Sequence, residues 1–240
     1  WRDTFLAFLL PMLAILPLGY MLVRWITAKG LQPLDEVRTE LARRWGMTKP
    51  PVIAGGAGDN AAGAVALGAI KPGDAFVSLG TSGVLWATTA GFAPNPQAAV
   101  HAFCHCVPQT WHQMGVILSA ASCLSWLSGL VGAAEVDLLR ERGDSLERPS
   151  PVLFLPYLSG ERTPHNDAEI RGAFAGLSHQ SDRKELTQAV MEGVAFALKD
   201  CLDALRAAGT DLQAADAIGG GSRSALWLRI IANVLDLPIH

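Results

Sequence analysis

Asp59 opens a run of small residues, Asp59-Asn60-Ala61-Ala62-Gly63-Ala64, directly after Gly55-Gly56-Ala57-Gly58. Small neighbours leave room for a ligand, and a carboxylate there could accept the proton of a substrate hydroxyl. The same residue at the first turn of a helix could instead cap its free N–H groups. A second chemical stretch is Gly80-Thr81-Ser82-Gly83, set between the β-prone runs Ala75-Phe76-Val77 and Val84-Leu85-Trp86-Ala87-Thr88. It predicts a β-hairpin whose turn has no bulky side chain. Successive N–H groups in such a turn, with two hydroxyls beside them, suit a phosphate. The third stretch is Gly219-Gly220-Gly221-Ser222, between the strand candidate 214–218 and a helix candidate through Leu235. Strand, glycine turn and helix together aim backbone N–H groups at a nucleotide. Its glycine spacing is not GxGxxG, which turns the reading away from a dinucleotide fold. One acid and three glycine-rich turns predict a nucleotide site assembled from distant segments.

Two further clusters could carry chemistry. The strand candidate 152–155 runs into Pro156–Asp167, whose Tyr157, Glu161, Arg162, His165 and Asp167 mark a functional loop or a loop pinned by a Glu161–Arg162 network. His101, Cys104, His105, Cys106 and His112 are dense enough to raise a metal site. Strand alternation divides them, placing Cys104 and Cys106 on one face and His101 and His105 on the other, so a single tetrahedral site is disfavoured and no residue is assigned to a metal.

The elements that must hold these groups can be read in order. Leu34, Val37, Leu41 and Trp45 recur at helical spacing and Gly46 is placed to end that helix. A strand over 52–54 leads to the first glycine turn. Residues 99–107 and 111–118 predict antiparallel strands joined by Pro108-Gln109-Thr110. Residues 119–131 predict a helix capped by Ser119, with Trp126 in the core, and 135–147 a solvated helix and loop. Arg171–Leu177 is a further strand candidate. Asp182 and Glu185 form a capping-box pattern ahead of a long helix over 183–208, ended by Gly209, with Cys201 on its buried stripe. A further strand would start at Pro238.

Composition narrows the class. The chain has 240 residues, half of them hydrophobic, and a net charge near −3 with no long basic run, so no nucleic-acid surface is expected. The four cysteines lack CxxC or secreted-framework spacing and read as reduced thiols of a cytoplasmic protein. The exception is the uncharged stretch Thr4–Val23, with Trp1, Tyr20 and Trp25 near its ends and Arg24 and Lys29 after it. Its length of about twenty residues would just cross a bilayer, so any membrane association is expected through residues 4–23. A buried segment and a foreign stretch joined to the gene are the competing readings.

Taken together, residues 55–64, 78–83, 156–167 and 218–235 resemble, in order, four motifs of the FGGY carbohydrate kinases. The stretch Trp111–Ala121 is similar to the xylulokinase branch in particular. The resemblance implies an α/β, actin-like ATPase (ribonuclease H-like) fold, a mixed sheet flanked by helices and incomplete here. Residues 31–72 would be the tail of the first kinase domain and 73–240 a truncated second domain, with residues 1–30 of unclear origin. It implies phosphorylation of a ketose by ATP with Mg2+, D-xylulose to D-xylulose 5-phosphate being the first expectation. Asp59 would be the general base and substrate contact; Gly80, Thr81 and Ser82 would hold phosphates; Gly220, Gly221 and Ser222 would face the adenosine. The Asp-x-Gly-Thr motif of the family is not matched. The alternative expectation is therefore an inactive, membrane-tethered fragment with a partial nucleotide half-site. A homodimer of the full-length parent is kept open.

Overall fold

The computed structural model describes residues 34–52 and 56–240, so the expected span at 4–23 and most of the strand at 52–54 lie outside the described residues. The chain divides after Gly56 into two units. In the first, residues 34–44 form helix α1, which stops at the Trp45-Gly46 turn where Gly46 takes φ +61°.

The second unit is built on one mixed sheet. In chain order its elements are α2 (Asp59–Leu67), β1 (Ala75–Leu79), β2 (Gly83–Thr89), β3 (His101–Cys104), β4 (Trp111–Ile117), α3 (Ala121–Val131), α4 (Glu135–Arg142), β5 (Leu153–Leu155), β6 (Ala173–Ala175), α5 (Arg183–Ala207), β7 (Asp216–Ile218) and α6 (Ala225–Leu235). The sheet order is β3-β4-β2-β1-β7, antiparallel except where β7 lies parallel to β1; β5 and β6 pair separately. Pro238–His240 continues alongside β7, with Ala215 N–H donating to Pro238 O at 2.9 Å and Ala217 N–H to His240 O at 2.8 Å.

Alternation along the strands separates two apolar faces. Val77, Leu79, Leu85, Ala87 and Ile117 face a layer of α3, α5 and α6. Phe76, Val84, Trp86, Met114 and Val116 face Ala61 and Ala64 of α2. Fourteen of the 25 residues of α5 are buried, so this helix is wrapped by neighbours rather than laid on a surface. Each large apolar side chain it hides contributes about 1.5–3 kcal/mol. Gly115 makes the close approach possible: a Cβ there would lie 2.6 Å from the Cys201 Cβ of α5. Asp182 accepts the Glu185 N–H at 2.8 Å and fixes the start of α5, as its pattern suggested; such caps contribute about 1 kcal/mol.

Several expectations are corrected. The first hairpin strand is only His101–Cys104, because His105 turns inward against Trp86 and the loop closes through the His105 N–H to Thr110 O bond of 3.0 Å. Ser119 does not cap α3; it is buried, and Ala120 holds the cap position without a side-chain bond. Trp126 is 38% exposed, stacking on the Phe154 and Phe174 rings of the small β5–β6 sheet instead of entering the main core. The segment 135–147 is not all solvated: Leu138 and Arg142 are buried, and the Arg142 Nη1 donates to Ser145 O at 3.1 Å.

Candidate functional site

The hairpin prediction holds: β1 and β2 are joined by Gly80-Thr81-Ser82, with Leu79 opposite Gly83. The carbonyls of the turn point inward. Ala121 N–H donates to Gly80 O at 2.9 Å, Ala120 N–H to Thr81 O at 2.9 Å, and the Ser122 hydroxyl to Thr81 O at 2.6 Å. With its acceptors held by the start of α3, the turn leaves Thr81 and Ser82 exposed.

The parallel register of β7 on β1 sets Ile218 beside Ser78. The next residue, Gly219, therefore arrives against the hairpin. It takes φ +95°, and a Cβ there would stand 2.6 Å from Leu79 O and 3.1 Å from Gly80 N. Gly221 is nearly as tight, 2.9 Å from the Leu79 Cβ. Two of the three predicted turns are thus in van der Waals contact. The third turn differs from expectation in one respect. Gly220–Arg223 forms a 3-10 turn before α6, and α6 begins only at Ala225, its Trp227 N–H capped by the Ser224 hydroxyl at 3.3 Å. The Ser222 hydroxyl donates to Gly219 O at 2.8 Å, which staples the turn. Trp227 is buried and its indole N–H donates to Met191 O at 3.0 Å, fixing α6 on α5.

A cleft of about 680 Å³ opens beside this junction. Ala121 and Leu124 of α3 and Glu135 and Leu139 of α4 form one wall; Gly220, Gly221 and Arg223 form the other. Because Ala121 also holds Gly80 O, the hairpin turn adjoins the cleft. Sequence reading missed the α4 wall, since its charged residues look like a solvated face.

Asp59 is exposed at the first residue of α2, on the sheet face opposite α5. It is not the cap: Gly58 holds that position, and Asp59 Oδ1 accepts the Asn60 N–H at 2.8 Å. The contacts uniting the other two turns belong to the opposite face.

In the Pro156–Asp167 loop the Glu161–Arg162 link is not an ion pair of side chains. Buried Glu161 accepts backbone N–H groups, from Arg162 at 2.7 Å and Leu118 at 2.9 Å. Burial pushes its carboxyl above the usual range. The His/Cys cluster resolves into packing: His112 stacks on Trp86 at 3.8 Å, and His105 Nε2 lies 3.2 Å from Ala69 O. All four cysteines are free, and burial, then the Glu161 charge, pushes the Cys123 thiol to about 12.

Residues 75–240 match the C-terminal domain of the FGGY family of carbohydrate kinases. The chain belongs to that family. It is 50% identical over 207 residues to the xylulose kinase of Escherichia coli (strain K12), covering 86% of this chain and 43% of that protein. The Klebsiella pneumoniae xylulose kinase is 46% identical, covering 88% and 44%. The solved structure of a xyloylose kinase from Brucella ovis superimposes with a TM-score of 0.82 at 61% identity, covering 84% of this chain and 42% of that one. The FGGY chain therefore spans less than half the length of the relatives it matches. Its mixed sheet flanked by helices is the actin-like ATPase fold of FGGY kinases. Among the described residues no single helix is long and apolar enough to cross a membrane.

Proposed function

We propose that the protein carrying this chain phosphorylates a ketose with ATP, converting D-xylulose to D-xylulose 5-phosphate. The observation that carries the reading is the seating of Gly219 against Leu79 and Gly80, which joins two phosphate-type turns at the end of one cleft. In this reading residues 73–240 are the nucleotide-side domain and 31–72 the tail of its predecessor.

The residues fit ATP. The cradle at Gly219 and Gly221 is one a Cβ would fill, and the cleft beside it has room for a nucleoside. ATP supplies the phosphoryl group. Gly220 and Gly221 present backbone to the adenosine, and Ser222 shapes their turn. Gly80, whose own N–H is held by Ser82 O at 3.1 Å, shapes the turn without a side chain. Thr81 and Ser82 give N–H and hydroxyl donors to the outer phosphates, where donors already in place stabilise charge without reorganising. Asp59 takes the proton of the attacking ketose hydroxyl. Magnesium fits differently. Among the described residues no group of three or more His, Cys, Asp or Glu side chains is gathered to hold a metal. No step is therefore assigned to it.

The test is ketose-dependent ADP release by the protein over the full length of its relatives. D-xylulose should support turnover, and Asp59→Asn should lower kcat by about 10²–10⁴-fold, the range of general-base catalysis, with the KM for ATP within about twofold. An unchanged kcat removes Asp59 from the mechanism; no turnover with any ketose removes the kinase reading.

A further inference from the structure

The Glu161–Thr163 segment stands where a strand would. β3 runs beside β4 only as far as the His101–Met114 pair, which leaves the edge of β4 open from Val116 onward. Thr163 fills it: its N–H donates to Val116 O at 3.0 Å, and its hydroxyl accepts the Val116 N–H at 3.0 Å while donating to Ala99 O at 3.0 Å. Glu161 takes the next free donor, the Leu118 N–H at 2.9 Å, with a side chain 2% exposed. Its backbone pairs with Asp167 in both directions, at 2.8 and 2.9 Å, so the carboxyl is held by a closed loop. Two and three residues beyond Leu118 the chain makes the two bonds that orient the hairpin turn, Ala120 N–H to Thr81 O and Ala121 N–H to Gly80 O.

We infer that Glu161 is a positioning residue for the phosphate turn, a strut that fixes the Leu118–Ala121 segment so that its amides hold Gly80 and Thr81. This rests on reading Gly80–Ser82 as the phosphate-holding turn. The physical case is one of connectivity. The regular pairing of β4 ends at Ile117, and between Leu118 and the start of α3 only Ser119 and Ala120 can absorb any shift. Without an acceptor at 161 the Leu118 amide loses its partner in a half-buried place, and the segment is free to move toward water. The two carbonyls of the hairpin turn would follow, and with them the donors on its outer side. Among the described residues Glu161 Oε2 has no hydrogen-bond partner, so the other oxygen of the carboxyl, Oε1, carries both amide contacts. A glutamine should therefore replace this side chain well, keeping the acceptor for Leu118 and Arg162.

The experiment compares Glu161→Gln, Glu161→Ala and Glu161→Met in the full-length protein, the methionine filling the volume without an acceptor. Ala and Met should raise the KM for ATP by about tenfold, the scale of one buried donor left unpaired, with the KM for the ketose within about twofold. Gln should stay within about threefold of the parent on both. Hydrogen exchange supplies a readout besides activity: the Ala120 and Ala121 amides should exchange about tenfold faster in the Met variant than in the parent or the Gln variant. Unchanged ATP KM and unchanged exchange in the folded Met variant would overturn the strut, as would a Gln variant as impaired as Ala. Parent protein without ATP-dependent turnover would instead sink the kinase reading, and the exchange rates would still decide whether Glu161 holds the segment.

Discussion

His112 shows what a single titratable residue does when it is used as an aromatic. It stacks on Trp86 with ring centres 3.8 Å apart, has Phe103 at 5.8 Å, and its buried Nδ1 has no hydrogen-bond partner among the described residues. Burial, then the neighbouring His105 and His101, depress its pKa to about 4. Unfolded, it would titrate near 6.5. Because the folded value is the lower one, the unfolded chain binds the extra proton. The stabilisation is complete above pH 6.5 and is lost as the pH falls toward 4. The gap is worth about 3 kcal/mol. Urea unfolding at pH 7.5 and 4.5 should show a loss of about 2–3 kcal/mol at the lower pH that His112→Phe largely removes. A variant with the same loss as the parent would place the pH dependence elsewhere. The sequence singled this residue out by its company and set a metal aside, without showing that its ring would stack. Density of His and Cys suggests a metal, while the face each ring takes depends on where β3 stops, and a four-residue strand does not carry alternation past Cys104.

At the scale of elements, the joint between β1–β2 and β7 is where a small change should matter most. Gly219→Ala would put a methyl 2.6 Å from Leu79 O on a residue at φ +95°. Both effects act together, and the expected cost is about 2–4 kcal/mol. The third turn would also be pushed off the hairpin, so ADP affinity should fall by about tenfold or more, read by calorimetric titration alongside urea unfolding. Gly220→Ala is the control for the unfolding measurement, because a Cβ there meets nothing of the protein within 4 Å. Equal losses of stability from the two substitutions would remove the joint from the explanation. These turns were legible because glycine and β-prone runs are local signals, and the same holds for α5 with its Asp182 cap. The partners of loops were not. The bonds from Glu161 to Leu118 and from Thr163 to Val116 span 43 and 47 residues, and nothing local distinguishes a loop that completes a sheet edge from one in solvent. Arg142 misled for a related reason: a charged run reads as solvated, yet packing of α4 on α5 buries this guanidinium.

For the whole molecule, the coverage of its relatives and the geometry point the same way. This chain covers 42–44% of the three relatives named above, and residues 75–240 match the C-terminal FGGY domain. The two turns and the cleft that would take a nucleotide lie together in the second unit. Phosphoryl transfer asks for more, since both substrates must be aligned and water excluded, as a rule by closure of one body on another. The 240-residue chain by itself is therefore expected to separate binding from turnover. Calorimetry should detect ADP binding that Gly219→Ala weakens, while D-xylulose-dependent ADP formation stays at the buffer rate. Supplying the remainder of the protein should restore turnover that depends on Asp59. Turnover by the 240 residues alone, abolished by Asp59→Ala, would place a complete ketose site within them and overturn this division of labour. Absence of any ADP binding would show instead that the joined turns need the rest of the protein to hold a nucleotide.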